Sequence, residues 1–128
     1  MMESNERTIR EFWRLFDEAR YEDVAPLFHP DCRIRWPNTR ELFKGSQKLI
    51  AMNRNYPGRW YIEVIDVIPG GERVISVVRV YSKEAPESFY AVSFFTFEQG
   101  LITEIIEYWG NVTEAPAWRL AQGYSETY

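Results

Sequence analysis

Ile9, Phe12, Trp13 and Phe16 recur at i, i+3, i+4 and i+7 among charged residues. That spacing draws one apolar stripe along a helix that runs from a Ser4 or Asn5 cap to about Arg20. A second, short helix is predicted from Asp23. Pro26 falls in its first turn, where a missing N–H is harmless, and Leu27 and Phe28 turn inward. His29-Pro30-Asp31 breaks it. Residues 32–36 make a short β-like run stopped by Pro37, and residues 38–45 read as a polar loop pinned by Leu42 and Phe43. Ser46 caps a third helix that carries Leu49, Ile50, Met52 and Tyr56 and ends at Pro57-Gly58.

From residue 59 the pattern changes. Segments 59–68, 73–83, 88–98 and 101–109 are rich in Val, Ile and aromatic residues. They are separated by Pro69-Gly70-Gly71, by Glu84-Ala85-Pro86-Glu87 and by Gln99-Gly100. A strand and turn every ~12–15 residues fits an antiparallel meander and not βαβ crossovers. Helices first and a meander afterwards predict an α+β domain whose bent sheet folds around a pocket. The run 89–97 reads Phe-Tyr-Ala-Val-Ser-Phe-Phe-Thr-Phe. So little alternation marks a strand covered on both faces. The helices cover one face, and a second copy of the chain is expected on the other, giving a homodimer through the outer face of the sheet. The alternative cover is the chain's own C-terminal segment. Within the run, Phe89, Ala91, Ser93, Phe95 and Phe97 share the face expected to meet the cavity, with Tyr90, Val92 and Phe94 on the other.

Composition narrows the function classes. At 128 residues the chain is expected to be one domain, 1–128. Aromatic residues make up 16% of it, more than a small core needs, which suits a pocket lining or an interface. A net charge of −4 argues against nucleic acid, whose phosphates need clustered Lys and Arg. One cysteine, Cys32, and one histidine, His29, offer neither an intrachain disulfide nor a zinc site. No cofactor motif is visible, whether a Gly-rich phosphate loop or spaced metal ligands, so no cofactor is expected. The opening residues 1–6 are acidic and polar, and no window reaches the ~18 apolar residues of a membrane span. The expected setting is therefore cytoplasmic, with no membrane partner.

The order of these pieces resembles the NTF2-like superfamily, and within it the SnoaL-like group. The resemblance rests on Phe12-Trp13 and Phe16, then Val24 to Asp31, Ile34-Arg35-Trp36-Pro37 and Phe43-Lys44-Gly45. The closing run Ala91 to Ile102 and Glu107-Tyr108-Trp109-Gly110 carries most of it. It covers nearly the whole chain and specifies a fold, not a reaction. It implies a cystatin-like cone: three N-terminal helices packed on a strongly curved antiparallel β-sheet, closing a pocket for a small, largely apolar ligand. The group includes polyketide cyclases, ketosteroid isomerases, limonene epoxide hydrolases, dehydratases and non-catalytic binding domains. Either cofactor-independent isomerase, cyclase or dehydratase chemistry or a non-catalytic binding or dimeric assembly module is thus implied.

By the same resemblance, Glu107 occupies the position of an acidic residue that faces the cavity just before an aromatic pair. A carboxyl group in an apolar pocket has a raised pKa and can shuttle a proton. If Glu107 points inward, the strand period sends Thr103, Ile105 and Trp109 inward too. Trp36 and Asn38 would border the pocket mouth, where Trp36 can stack on a ring. Arg79 interrupts an apolar strand, and such an arginine reaches an edge or pairs with a carboxylate. Glu107, Glu63 and Asp66 are its possible partners. Tyr90 is a candidate to polarise a ligand oxygen. Epoxide hydrolysis needs an acid two residues after the arginine, and that position holds Tyr81.

Overall fold

The computed structural model describes residues 2–128. Helix α1, Ser4–Asp17, buries Ile9, Phe12, Trp13, Leu15 and Phe16 along the expected stripe. Neither Ser4 nor Asn5 caps it: Glu3 is the cap position, and the Asn5 side chain donates instead to the Gly71 carbonyl. The second helical segment is a 3-10 helix, Tyr21–Leu27, with Pro26 inside it. Six strands follow, β1 Phe28–Trp36, β2 Glu41–Lys44, β3 Trp60–Ile68, β4 Arg73–Ser82, β5 Ser88–Glu98 and β6 Leu101–Asn111. Helix α2, Ser46–Arg54, lies between β2 and β3, and the five-residue helix α3, Ala117–Ala121, lies beyond β6. Among the described residues, no helix is long and apolar enough to cross a membrane.

The strands form one curved sheet in the order β2-β1-β6-β5-β4-β3. The meander β3 to β6 is antiparallel as expected. Three features differ from the sequence reading. Strand β1 runs parallel to β6 and begins at Phe28, so His29-Pro30-Asp31 belongs to an irregular stretch of strand. The polar loop contains the edge strand β2, which pairs with β1 through Leu42 and Phe43. Gly45, at φ 91°, and not Ser46, occupies the cap position of α2; a side chain there would be strained.

Two bulges set the shape. The β5–β6 register runs from Thr96↔Glu104 to Phe97↔Ile102, leaving Thr103 as an extra residue. Its hydroxyl donates to the Thr96 carbonyl across the bulge, at 3.1 Å. On β3, the step from Val64↔Val78 to Asp66↔Val77 leaves Ile65 extra. Bulges of this kind bend a sheet and increase its twist.

Helix α1 packs on the inner face of the sheet. Phe12 lies 4.8 Å from Trp13, 4.8 Å from Phe16 and 5.3 Å from Phe95, centroid to centroid. Offset and edge-on aromatic contacts add to simple burial. One polar bond crosses this core: the Trp13 indole N–H donates to Ser76 Oγ at 3.0 Å, with Ser76 wholly buried. The C-terminal residues do not fold back over the outer sheet face as an anchored latch. No residue of α3 is buried, Trp118 is exposed, and Arg119 lies beside the Trp118 ring.

Trp13→Phe keeps a ring and removes the N–H, leaving the Ser76 hydroxyl without its donor. It is expected to lower the unfolding free energy in urea by about 1–3 kcal/mol. Ser76→Ala in the same background should recover part of that loss. A double variant that costs the full sum of the two single variants would disprove the coupling.

Candidate functional site

Between the helices and the inner sheet face lies a cavity of about 590 Å³, within the usual range for small-molecule sites. Helix α1 contributes Phe12, Trp13 and Phe16, and α2 contributes Leu49, Met52 and Asn53. The sheet contributes Trp36, Trp60, Phe89 and Trp109, among others. Tyr56, Trp60, Phe89 and Trp109 form a continuous aromatic wall with successive centroid separations of 6.2, 6.0 and 6.3 Å.

Glu107 lines this cavity from β6. Its cross-strand partner is Ser93, whose hydroxyl donates to Glu107 Oε2 at 2.6 Å. Ser93 is itself wholly buried. Burial pushes the Glu107 pKa above the ordinary carboxyl value, and the Ser93 hydrogen bond pulls part of the way back. Ile105, Trp109 and Asn111 line the cavity from the same strand. Thr103 does not: it is the bulge residue, and Ile102 is buried in its place.

Of the remaining candidates, Trp36 and Trp109 line the cavity. Trp36 packs edge-on against Phe43 at 4.8 Å. Three candidates lie elsewhere. Arg79 is on the outer face, where its guanidinium pairs with Glu63 at 2.8 Å and lies 4.3 Å from the Tyr81 ring. Its side chain has the parity opposite to Val78 and Val80, which are buried. Tyr90, directly across from Arg79 on β5, is 46% exposed on the same outer face. Asn38 ties down β6: its Nδ2 donates to the Trp109 carbonyl at 2.9 Å and its Oδ1 accepts the Trp109 N–H at 3.1 Å. It therefore positions Trp109 without lining the cavity. His29 accepts the Asp31 N–H through Nδ1 and also stands outside.

The inward face expected for β5 is the one observed. Phe89 and Ala91 line the cavity, while Ser93, Phe95 and Phe97 are buried beneath it. Ser93 was legible as a lone hydroxyl on that face, but not as the partner of Glu107, because that pairing needs the β5–β6 register. Trp60, Met52, Asn53 and Glu87 also line the cavity and had no motif to mark them. No cluster of three or more metal-ligating side chains occurs among the described residues.

Solved structures share this architecture. A protein from Kribbella flavida DSM 17836, provisionally assigned as a ketosteroid isomerase, aligns with a TM-score of 0.83 and 22% identity, over 98% of this chain and 90% of its own. An NTF-2 like protein of unknown function from Burkholderia xenovorans LB400 aligns with a TM-score of 0.81 and 19% identity, over 98% and 95%. An LEH-like epoxide hydrolase from M. tuberculosis aligns with a TM-score of 0.69 and 14% identity, over 84% and 83%. At these identities the likeness is one of fold. A search of curated proteins gave no match. The model of the SnoaL-like domain matches residues 9–105, most of the chain. The helix stripe, the curved sheet and this match together place the chain in the SnoaL-like domain family.

Proposed function

We propose that the cavity binds a small, largely apolar molecule and that Glu107 carries out cofactor-independent proton transfer on it, in a reaction of isomerase, cyclase or dehydratase type. The observation that carries this reading is a carboxyl group held in an aromatic cavity, with a raised pKa and one hydroxyl partner. A carboxyl whose pKa is raised by desolvation is a better proton acceptor from a carbon acid than one in water, and it can donate and accept a proton in one cycle. The second reading is a non-catalytic binding or assembly module. It is favoured by the position of Arg79 and Tyr90 on the outer face: among the described residues no cationic side chain lines the cavity to stabilise an oxyanion.

Glu107→Gln keeps the shape and removes the ionisable group. In a panel of cyclic and aryl ketones, exchange of α-protons for deuterium is expected with the wild-type chain and should fall by about 10²–10⁴-fold in the variant. Exchange that persists undiminished in Glu107→Gln would remove this residue from the chemistry. Binding without exchange would favour the module reading.

The raised pKa has a thermodynamic sign. The folded state holds its Glu107 proton more tightly than the unfolded chain, whose reference is 4.5. The stabilisation is thus complete below that value and is lost as pH rises through the folded-state pKa. The stability advantage of Glu107→Gln over wild type should widen with pH across that window. In Ser93→Ala the window should move further up, because the bond that lowers the pKa is gone. Thermal melts of the three proteins across pH would show it, and a pH-independent difference would contradict the buried carboxyl.

The same reading includes a homodimer through the outer face. Ile75, Val77, Val92, Phe94 and Ile106 have outward parity, flanked by the ion pairs Arg79–Glu63 and Arg35–Glu104. An apolar centre with a charged rim suits a two-fold contact. Light scattering should give twice the chain mass for wild type and the chain mass for Val92→Arg. A monomeric wild type would end this part of the proposal. A cytoplasmic setting also belongs to the reading, supported by the free, buried thiol of Cys32.

A further inference from the structure

The charges around the cavity are one-sided. Glu107 and Glu87 line it, and no Lys, Arg or His does among the described residues. Two basic residues that adjoin the lining in sequence, Arg54 and Arg59, are engaged elsewhere. Arg54 pairs with Glu22, and Arg59 donates to the carbonyls of Asp17 and Trp60 while its guanidinium lies 4.1 Å from the Tyr61 ring. The wall itself is aromatic, from Tyr56 and Trp60 through Phe89 to Trp109, two residues along the strand from Glu107. Ring faces attract cations, most strongly where water is excluded. A cleft of one sign with low-dielectric walls concentrates the opposite charge. An anionic ligand would meet two carboxyl groups and no counter-charge.

We propose that this cavity selects an organic ammonium: a protonated amine on an apolar body, its nitrogen paired with Glu107 and its body against Trp36, Trp60 and Trp109. The proposal rests on the cavity being a ligand site and adds the charge class of the ligand. The ammonium holds Glu107 as a carboxylate, so the residue meets its ligand in the basic form. The Ser93 hydroxyl, which donates to Oε2, supports the same form.

Three probes with one body and different charge separate the outcomes: 1-adamantanamine, 1-adamantanol and 1-adamantanecarboxylate, followed by calorimetry and tryptophan fluorescence. The amine is expected to bind at least about tenfold more tightly than the alcohol, the margin of a cation–π contact together with a charge-assisted hydrogen bond. The carboxylate should be weakest. Glu107→Gln should erase the margin between amine and alcohol. The other titratable groups that line the cavity are Glu87, Tyr21 and Tyr56. Amine affinity should therefore rise with pH as Glu107 loses its proton, while alcohol affinity stays flat. Alcohol or carboxylate binding as tightly as the amine would overturn the charge preference and leave the ligand-site reading standing. No binding by any of the three at millimolar concentration would overturn both.

Discussion

One extra residue on β6 decides which way the functional carboxyl points. Ile102 and Ile105 are both buried, three positions apart on a strand whose side chains alternate. An unbroken ladder with Ile102 inward would send residues 104, 106 and 108 inward and turn Glu107 to solvent. The bulge at Thr103 changes the parity between these two demands. Ile102 then joins Phe97 and Phe95 in the floor under α1, while Ile105, Glu107 and Trp109 face the cavity. The Ser93–Glu107 bond, the raised pKa and the aromatic approach all follow from that single register step.

The sequence carried the periodic information well and the pairing information poorly. The α1 stripe and the four long strands were legible because each is a local pattern of apolar spacing. So was the inward set of β5, since small residues alternating with large ones fit a concave face. The face of the arginine was not legible because Val74 to Val80 is apolar on both parities: Glu63, one of its three possible partners, is the one it meets, but only the pairing of Val67 with Ser76 and of Ser76 with Ser93 reveals which face is inner. Strand β1 pairs with β6 across more than 60 residues of chain, and no turn signal announces a parallel, non-local neighbour. Asn38 looked like a pocket residue by position alone. Its backbone-like pair of hydrogen bonds to Trp109 depends on that same non-local pairing.

The site is a local departure from what stability favours. A carboxyl group desolvated beside one hydroxyl is less favourable as an anion than the same group in water. The surrounding fold offsets this with an unusually aromatic core. Phe12 contacts Trp13, Phe16, Phe28 and Phe95, and the indole of Trp13 satisfies the buried Ser76. The Trp13–Ser76 bond pairs the polar atoms at the centre of this core, and on the cavity wall desolvation of a charge is confined to Glu107.

That confinement explains why the division of charge between the two sheet faces matters. Had Arg79 faced inward, it could have met Glu107 as a buried ion pair. The carboxyl would then be fixed as an anion with a lowered pKa, a stable strut with no proton to exchange. The sheet instead keeps its Arg79–Glu63 and Arg35–Glu104 pairs on the outer side, where water screens them and they contribute little to stability. Glu107 is left with Ser93 and the cavity. Its protonation is then set by desolvation and by the charge of whatever enters, which is the condition under which a buried carboxyl can respond chemically to a ligand.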